Sequence, residues 1–96
     1  MLHSVHEQAT GVAARMRSAR LNANLTQAGL AARSGVSLAS LRRFETTGQI
    51  AFESLIRLAQ ALGRDADIDA LFAPPLLASL DQLVAPPLAR LRGRRS

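Results

Sequence analysis

The sequence predicts an all-α fold. Five helices form one compact domain over residues 1–73, and an extension rich in proline, leucine and arginine follows over residues 74–96. Three observations predict it. Apolar residues recur at three- and four-residue intervals in successive segments, the spacing of one helix face. No segment shows convincing strand-like alternation, and valine and isoleucine are few. Polar capping residues and glycines fall between the periodic segments, where helices begin and end.

In the first helix Val5, Ala9, Val12, Met16, Ala19 and Ala23 form an apolar stripe, with Arg15, Arg17 and Arg20 off it. Asn22-Ala23-Asn24 stops the helix. Asparagine tolerates the left-handed conformation, so Asn24 suits the C-cap. Thr26 starts the second helix as its N-cap, with Leu30 and Ala31 pointing inward. Ser34-Gly35-Val36 is the turn, and Gly35 takes a positive φ that a Cβ would oppose. Ser37 caps the third helix, whose core face carries Leu41 and Phe44, and Thr46-Thr47-Gly48 ends it.

The fourth helix is expected over Phe52–Leu62, with Leu55, Leu58, Ala59 and Leu62 inward and Gly63 as C-cap. Ala51, just before it, supplies no polar cap. A short fifth helix is expected over Asp67–Phe72, with acids in its first turn, where the helix dipole favours them. Pro74-Pro75 closes the domain. Beyond it Leu76, Leu77, Leu80, Leu83 and Val84 make a small amphipathic helix that Pro86-Pro87 ends, and Leu88–Ser96 is a basic tail.

Composition narrows the function. At 96 residues the chain is one domain, small enough that a partner subunit would add stability. Net charge is +5, and every one of the twelve basic residues is arginine. Arginine presents a planar fork that suits phosphate and guanine, although codon bias alone also removes lysine. Residues 1–73 hold eight arginines and six acids; residues 74–96 hold four and one. A pI near 11.7 favours a polyanionic partner. With no cysteine there is no disulfide frame and no thiolate metal site. No apolar run reaches the roughly 18–20 residues of a membrane span, and Pro74 and Pro75 break the longest, Leu71–Leu80. Met1–Thr10 lacks the pattern of a signal peptide. The expected setting is the cytoplasm of a bacterial-type cell, at the nucleoid.

The stretch Thr26–Glu45, TQAGLAARSGVSLASLRRFE, carries the most information. It reads as two short helices and a tight turn, a helix-turn-helix whose second helix enters the DNA major groove. Counting Gln27 as the first position, Ala31 is the fifth, Gly35 the ninth and Leu41 the fifteenth. The fifth must be small where two helices cross, the ninth must permit the turn, and the fifteenth must be apolar to lock the second helix to the core. Spacing also places Ala39, Arg42, Arg43 and Thr46 on one face, opposite Leu41 and Phe44.

Through RMRSARLNANLTQAGLAARSGVSLASLRRFETTG and SLIRLAQALG, over about Val12–Phe72, the chain resembles the Cro/repressor class of helix-turn-helix proteins, the xenobiotic-response-element family. That resemblance implies a compact five-helix, lambda-repressor-like domain that binds double-stranded DNA as a homodimer, with no cofactor. It implies that Gln27 contacts a phosphate and braces the recognition helix, aided by the N–H groups at the helix start beside Thr26. It implies a buried ion pair between Arg20 and Glu45, and a recognition segment of Ser37, Leu38, Ala39, Ser40, Arg42 and Arg43. Leu38 and Ala39 stand where many members carry polar residues and can only touch groups such as a thymine methyl. Hydrogen-bonded base reading then falls on Arg43, for guanine O6 and N7, and on Arg42 and Ser40.

The stretch SLASLRRFETTGQIAFESLIRLAQALG, then Leu71-Phe72 and the proline- and arginine-rich end, is similar to HipB-type antitoxins. Such repressors pair with a HipA-type kinase toxin and bind their own promoter. A phage-type or stand-alone regulator, or a module for toxin binding or dimerisation, stands beside that reading.

Other residues weigh less. Thr46, Arg15 and Arg57 are candidates for phosphate contact, with an ordinary surface charge the competing reading for the two arginines. His3, His6 and Glu7 lack the further ligands of a metal site. Asp65, Asp67 and Asp69 imitate the start of a calcium loop, but Ala70 and Leu76 stand where glycine and glutamate are required. No catalytic triad, phosphate loop or spaced carboxylate pair stands out, so the expectation is a non-enzyme. The Arg90–Arg95 cluster adds charge for DNA affinity.

Overall fold

Helix α1 spans Val5–Asn22, α2 Gln27–Ser34, α3 Leu38–Thr47, α4 Phe52–Ala61 and α5 Asp65–Asp69 in the computed structural model, which describes residues 2–75. There is no strand among the described residues. Helix α3 packs on α1 and α2, α2 on α4, and α5 on α4. The core gathers one or two side chains from each of the first four helices, Ala13, Met16, Leu30, Leu41, Phe44 and Leu58, together with Val36 from the turn. Leu30, Leu41 and Leu58 are fully enclosed, and Phe44 nearly so.

The helix ends explain why α2 and α3 are so short. Thr26 Oγ1 accepts the Gly29 N–H at 2.9 Å, and Ser37 Oγ accepts that of Ser40 at 3.1 Å. Each cap satisfies a donor that the first turn would otherwise leave unpaired. Gly35 (φ 79°) and Gly48 (φ 80°) stop the two helices in the left-handed conformation. Gly48 has a second constraint. A Cβ there would lie 2.8 Å from the Ala9 carbonyl carbon, so α1 and the end of α3 meet without a side chain between them.

Several expectations need correction. The buried line of α1 is Ala13, Met16 and Arg20; of the apolar stripe only Met16 is buried, and Ala9 and Ala19 are half-buried. Val5 is 84% exposed and Val12 sits at the edge of solvent. Charged Arg20 joins the inward face, which hydrophobic periodicity cannot anticipate. Helix α1 ends with Ala23 as C-cap, and Asn24 takes the left-handed conformation one residue later, at φ 58°. Leu62 is the C-cap of α4, one residue ahead of Gly63. Leu58 alone of the expected inward set on α4 is fully buried; Leu55, Ala59 and Leu62 are half-buried. Helix α5 begins two residues earlier than expected and stops at Asp69. Its start is tied by the Arg64–Asp67 ion pair at 2.8 Å, and it cannot reach Phe72, whose φ is 58°. The amphipathic segment Leu76–Val84 and the Arg90–Arg95 cluster lie outside the described residues.

Candidate DNA-binding face

Helix α3 divides cleanly. Leu41 and Phe44 are buried, while Ala39, Ser40, Arg42, Arg43 and Thr46 are exposed. Leu38 is half-buried, so only part of its side chain faces outward. Ser37 is occupied with its capping role and also donates its hydroxyl proton to Ser40 Oγ at 2.9 Å. That leaves the Ser40 hydroxyl its own proton to donate outward. Arg42 is exposed, and its side chain has no partner among the described residues. Arg43 is held on one side: its Nη2 donates to Gln49 Oε1.

Behind this face lies a charged anchor. Arg20 on α1 donates from Nε to Glu45 Oε2 at 2.8 Å and from Nη2 to Glu45 Oε1 at 3.0 Å. The two side chains are 7% and 4% exposed. Arg20 Nη1 also donates to the Leu25 carbonyl at 2.9 Å, and Gln27 Nε2 donates to Glu45 Oε1 at 2.9 Å. One carboxylate of α3 is thus tied to α1 and to the first residue of α2, and Arg17 adds a positive charge 3.9 Å away. A planar fork facing a carboxylate fixes orientation as well as distance. Burial works to raise the Glu45 pKa. The hydrogen bonds from Arg20 and Gln27 and the charges of Arg20 and Arg17 outweigh it and hold the carboxyl below its ordinary value.

The remaining candidates are spread out. Thr26 and Gln27 stand at the start of α2, beside N–H groups that its first turn leaves free. Arg57 on α4 pairs with Glu53 at 3.7 Å, and its Nη1 lies 3.7 Å from where a Cβ of Gly35 would stand. It therefore reaches the turn between α2 and α3. Arg15 is placed elsewhere, along an apolar cleft of about 340 Å³ whose walls include Val12, Met16, Leu55, Leu62 and Leu71. None of the cleft's lining comes from α2 or α3.

Two features of consequence carry no expectation from the sequence. Gln49 follows the glycine stop and carried no motif that would mark it. Ser4 and Glu7 form a reciprocal capping box at the start of α1, at 2.9 and 3.0 Å. The spacing of serine and glutamate three residues apart would have revealed that box.

An all-helical domain that supports one exposed, arginine-bearing helix on a two-helix corner is of the DNA-binding helix-turn-helix class. A family model described as helix-turn-helix matches residues 16–68, more than half of the chain, and the chain belongs to that family in its Cro/repressor, xenobiotic-response-element form. The family is one of DNA-binding transcriptional regulators, not of enzymes. No curated protein and no solved structure matches the chain. Among the described residues no helix is long and apolar enough to cross a membrane.

Proposed function

We propose that the chain is a sequence-specific repressor that binds double-stranded DNA as a homodimer on an inverted repeat. The supporting observation is the division of α3, with Leu41 and Phe44 anchored inside and Ser40, Arg42 and Arg43 offering donors outside. Two such helices enter successive major grooves about 34 Å apart. Arg43 and Arg42 read guanine edges, Ser40 offers one further donor, and Ala39 with the exposed part of Leu38 meets thymine methyls. Ser37 shapes the helix start. Thr26, Gln27, Thr46 and Arg57 contact phosphates and set register, and Arg15 adds a more distant charge. Residues 1–73 form the DNA-binding unit and residues 74–96 its basic extension.

The protein works at the nucleoid in the cytoplasm, and occupancy of a promoter gives repression. Its narrower role is that of a HipB-like antitoxin which controls its own operon and holds a HipA-like kinase toxin. The resemblance over residues 37–63 supports this reading, as does the apolar cleft, which leaves a surface for a protein partner apart from α3. That cleft also favours a second reading, a toxin-binding or dimerisation module for which DNA binding is secondary.

A gel shift with the DNA upstream of the chain's own gene tests the repressor reading. A specific shift at moderate salt is expected. Equal shifts on that DNA and on unrelated duplexes would overturn it.

A further inference from the structure

Beyond the residues of the recognition helix itself, we infer that Gln49 is a positioning residue for base reading, holding the Arg43 guanidinium in place before DNA arrives. This inference rests on the repressor reading above.

The geometry is a closed ring of hydrogen bonds. Thr47 Oγ1 donates to the Arg43 carbonyl at 2.7 Å. The Gln49 N–H donates to Thr47 Oγ1 at 3.1 Å. Gln49 Oε1 then accepts from Arg43 Nη2, which closes the ring at the side-chain end. Its base is fixed as well. Gly48 stands between Thr47 and Gln49 in the left-handed conformation, with Ala9 of α1 packed directly behind it. Gln49 therefore extends from a pinned turn, not from a free loop.

Chemistry explains what the ring accomplishes. An arginine on an exposed helix face samples many rotamers, and ordering it on binding weakens affinity. One acceptor bonded to a single Nη2 proton restricts those rotamers. The other guanidinium donors remain available to meet the two acceptors on a guanine edge. Glutamine suits this role because its amide oxygen accepts without adding negative charge near phosphates. Arg42, on the same face, has no such partner. The two arginines therefore differ: Arg43 is held for a directional contact, and Arg42 is a mobile donor.

Selection from a random duplex library, with sequencing of the bound fraction, tests the inference on the full-length chain and three variants: Arg43→Ala, Gln49→Met and the double variant. Methionine preserves the length of the side chain and removes the acceptor. The wild type is expected to select a motif in which Arg43→Ala loses one G·C preference, by about tenfold or more. Gln49→Met should weaken that same preference by about two- to tenfold. It should leave other positions, affinity for random DNA and melting temperature unchanged, and have no effect in the Arg43→Ala background. If Gln49→Met keeps the full preference while Arg43→Ala loses it, the role of Gln49 is overturned and the base-reading role of Arg43 stands. Uniform weakening on all DNA, or a persisting effect without Arg43, assigns Gln49 to phosphate or base contact of its own and overturns the inference. A wild type that selects no motif removes the repressor reading and the inference together, whereas an Arg43→Ala variant that keeps the whole motif overturns the base-reading role of Arg43, and the inference with it, and leaves the repressor reading standing.

Discussion

The two ends of this small domain are built on different terms. At the α2–α3 end, both helices begin on side-chain caps, both stop at left-handed glycines, and a buried carboxylate ties three helices together. At the α4–α5 end, Ala51 and Arg64 occupy the N-cap positions and neither side chain caps a backbone N–H of its helix. Large apolar groups there remain open, with Phe52 57% and Leu71 47% exposed. Directional contacts are concentrated where a helix must be aimed. A helix that reads base edges loses affinity with small errors of orientation, whereas apolar packing is non-directional and tolerates them.

The largest expected contrast lies in the core. Phe44→Ala should destabilise by about 3–5 kcal/mol. Leu71→Ala, at the rim of the cleft, should change stability by only about 0.5 kcal/mol. Urea unfolding of the two variants measures both, and equal losses would erase the distinction between the two ends.

Next is the anchor. Glu45→Ala should cost about 3 kcal/mol, because it leaves Arg20 enclosed without its partner. An unchanged unfolding curve would dismiss the anchor as a stabilising element. Its pH dependence has a definite sign. The folded-state pKa of Glu45 lies below its unfolded value. The stability it contributes is therefore full above that value and is lost as pH falls through the lower folded value. Melting temperature should decline more steeply with acidification in the wild type than in Glu45→Gln, and parallel declines would refute the linkage.

Arg43→Ala sharpens the comparison on DNA. It should weaken binding to the selected site by about 1–3 kcal/mol and leave melting unaltered. Equal weakening on random duplex would show that Arg43 meets only phosphate.

The smallest effects come from the caps. Ser37→Ala should cost about 1 kcal/mol, and Ala51→Ser, which gives α4 the cap it lacks, should add about 0.5–1 kcal/mol. Ala51 already has the extended backbone of an N-cap (φ −70°, ψ 141°), so no rearrangement is required. In a domain of this size each kcal/mol moves the melting temperature by about 4–8 °C. A fall in melting temperature for Ala51→Ser would mean that the weaker end is not limited by its helix start.

Much of the fold was legible one residue at a time. Leu30, Leu41, Phe44 and Leu58 announce themselves by spacing, Thr26 and Ser37 by their hydroxyls ahead of apolar turns, and Gly35 by its place between two helices. The outward face of α3 was equally plain, because one helical period separates Ala39, Arg42, Arg43 and Thr46 from the core side. Other parts were not local enough to read. Arg20 lies off the apolar stripe, and only its resemblance to a family residue pointed inward. Val5 belongs to the stripe yet is exposed among the described residues. Gln49 bonds to a residue six positions earlier across a helix stop, and no periodicity marks such a contact.

By itself the sequence determined what is local: five helices among the described residues, the Thr26 and Ser37 caps, the turn between α2 and α3, and which residues of α3 share a face. These depend on backbone sterics and on neighbours within about one helical turn. Only the tertiary structure decided which residues of α1 face inward, the geometry of the Arg20–Glu45 pair that the family resemblance implied, the hydrogen bond that holds Arg43 but not Arg42, and the opening of the cleft between α1, α4 and α5. The physical reason is the same in each case. A charge can be buried, a guanidinium held or an apolar wall left open only once distant segments have packed, and the free energy of each depends on what arrives from the other helix.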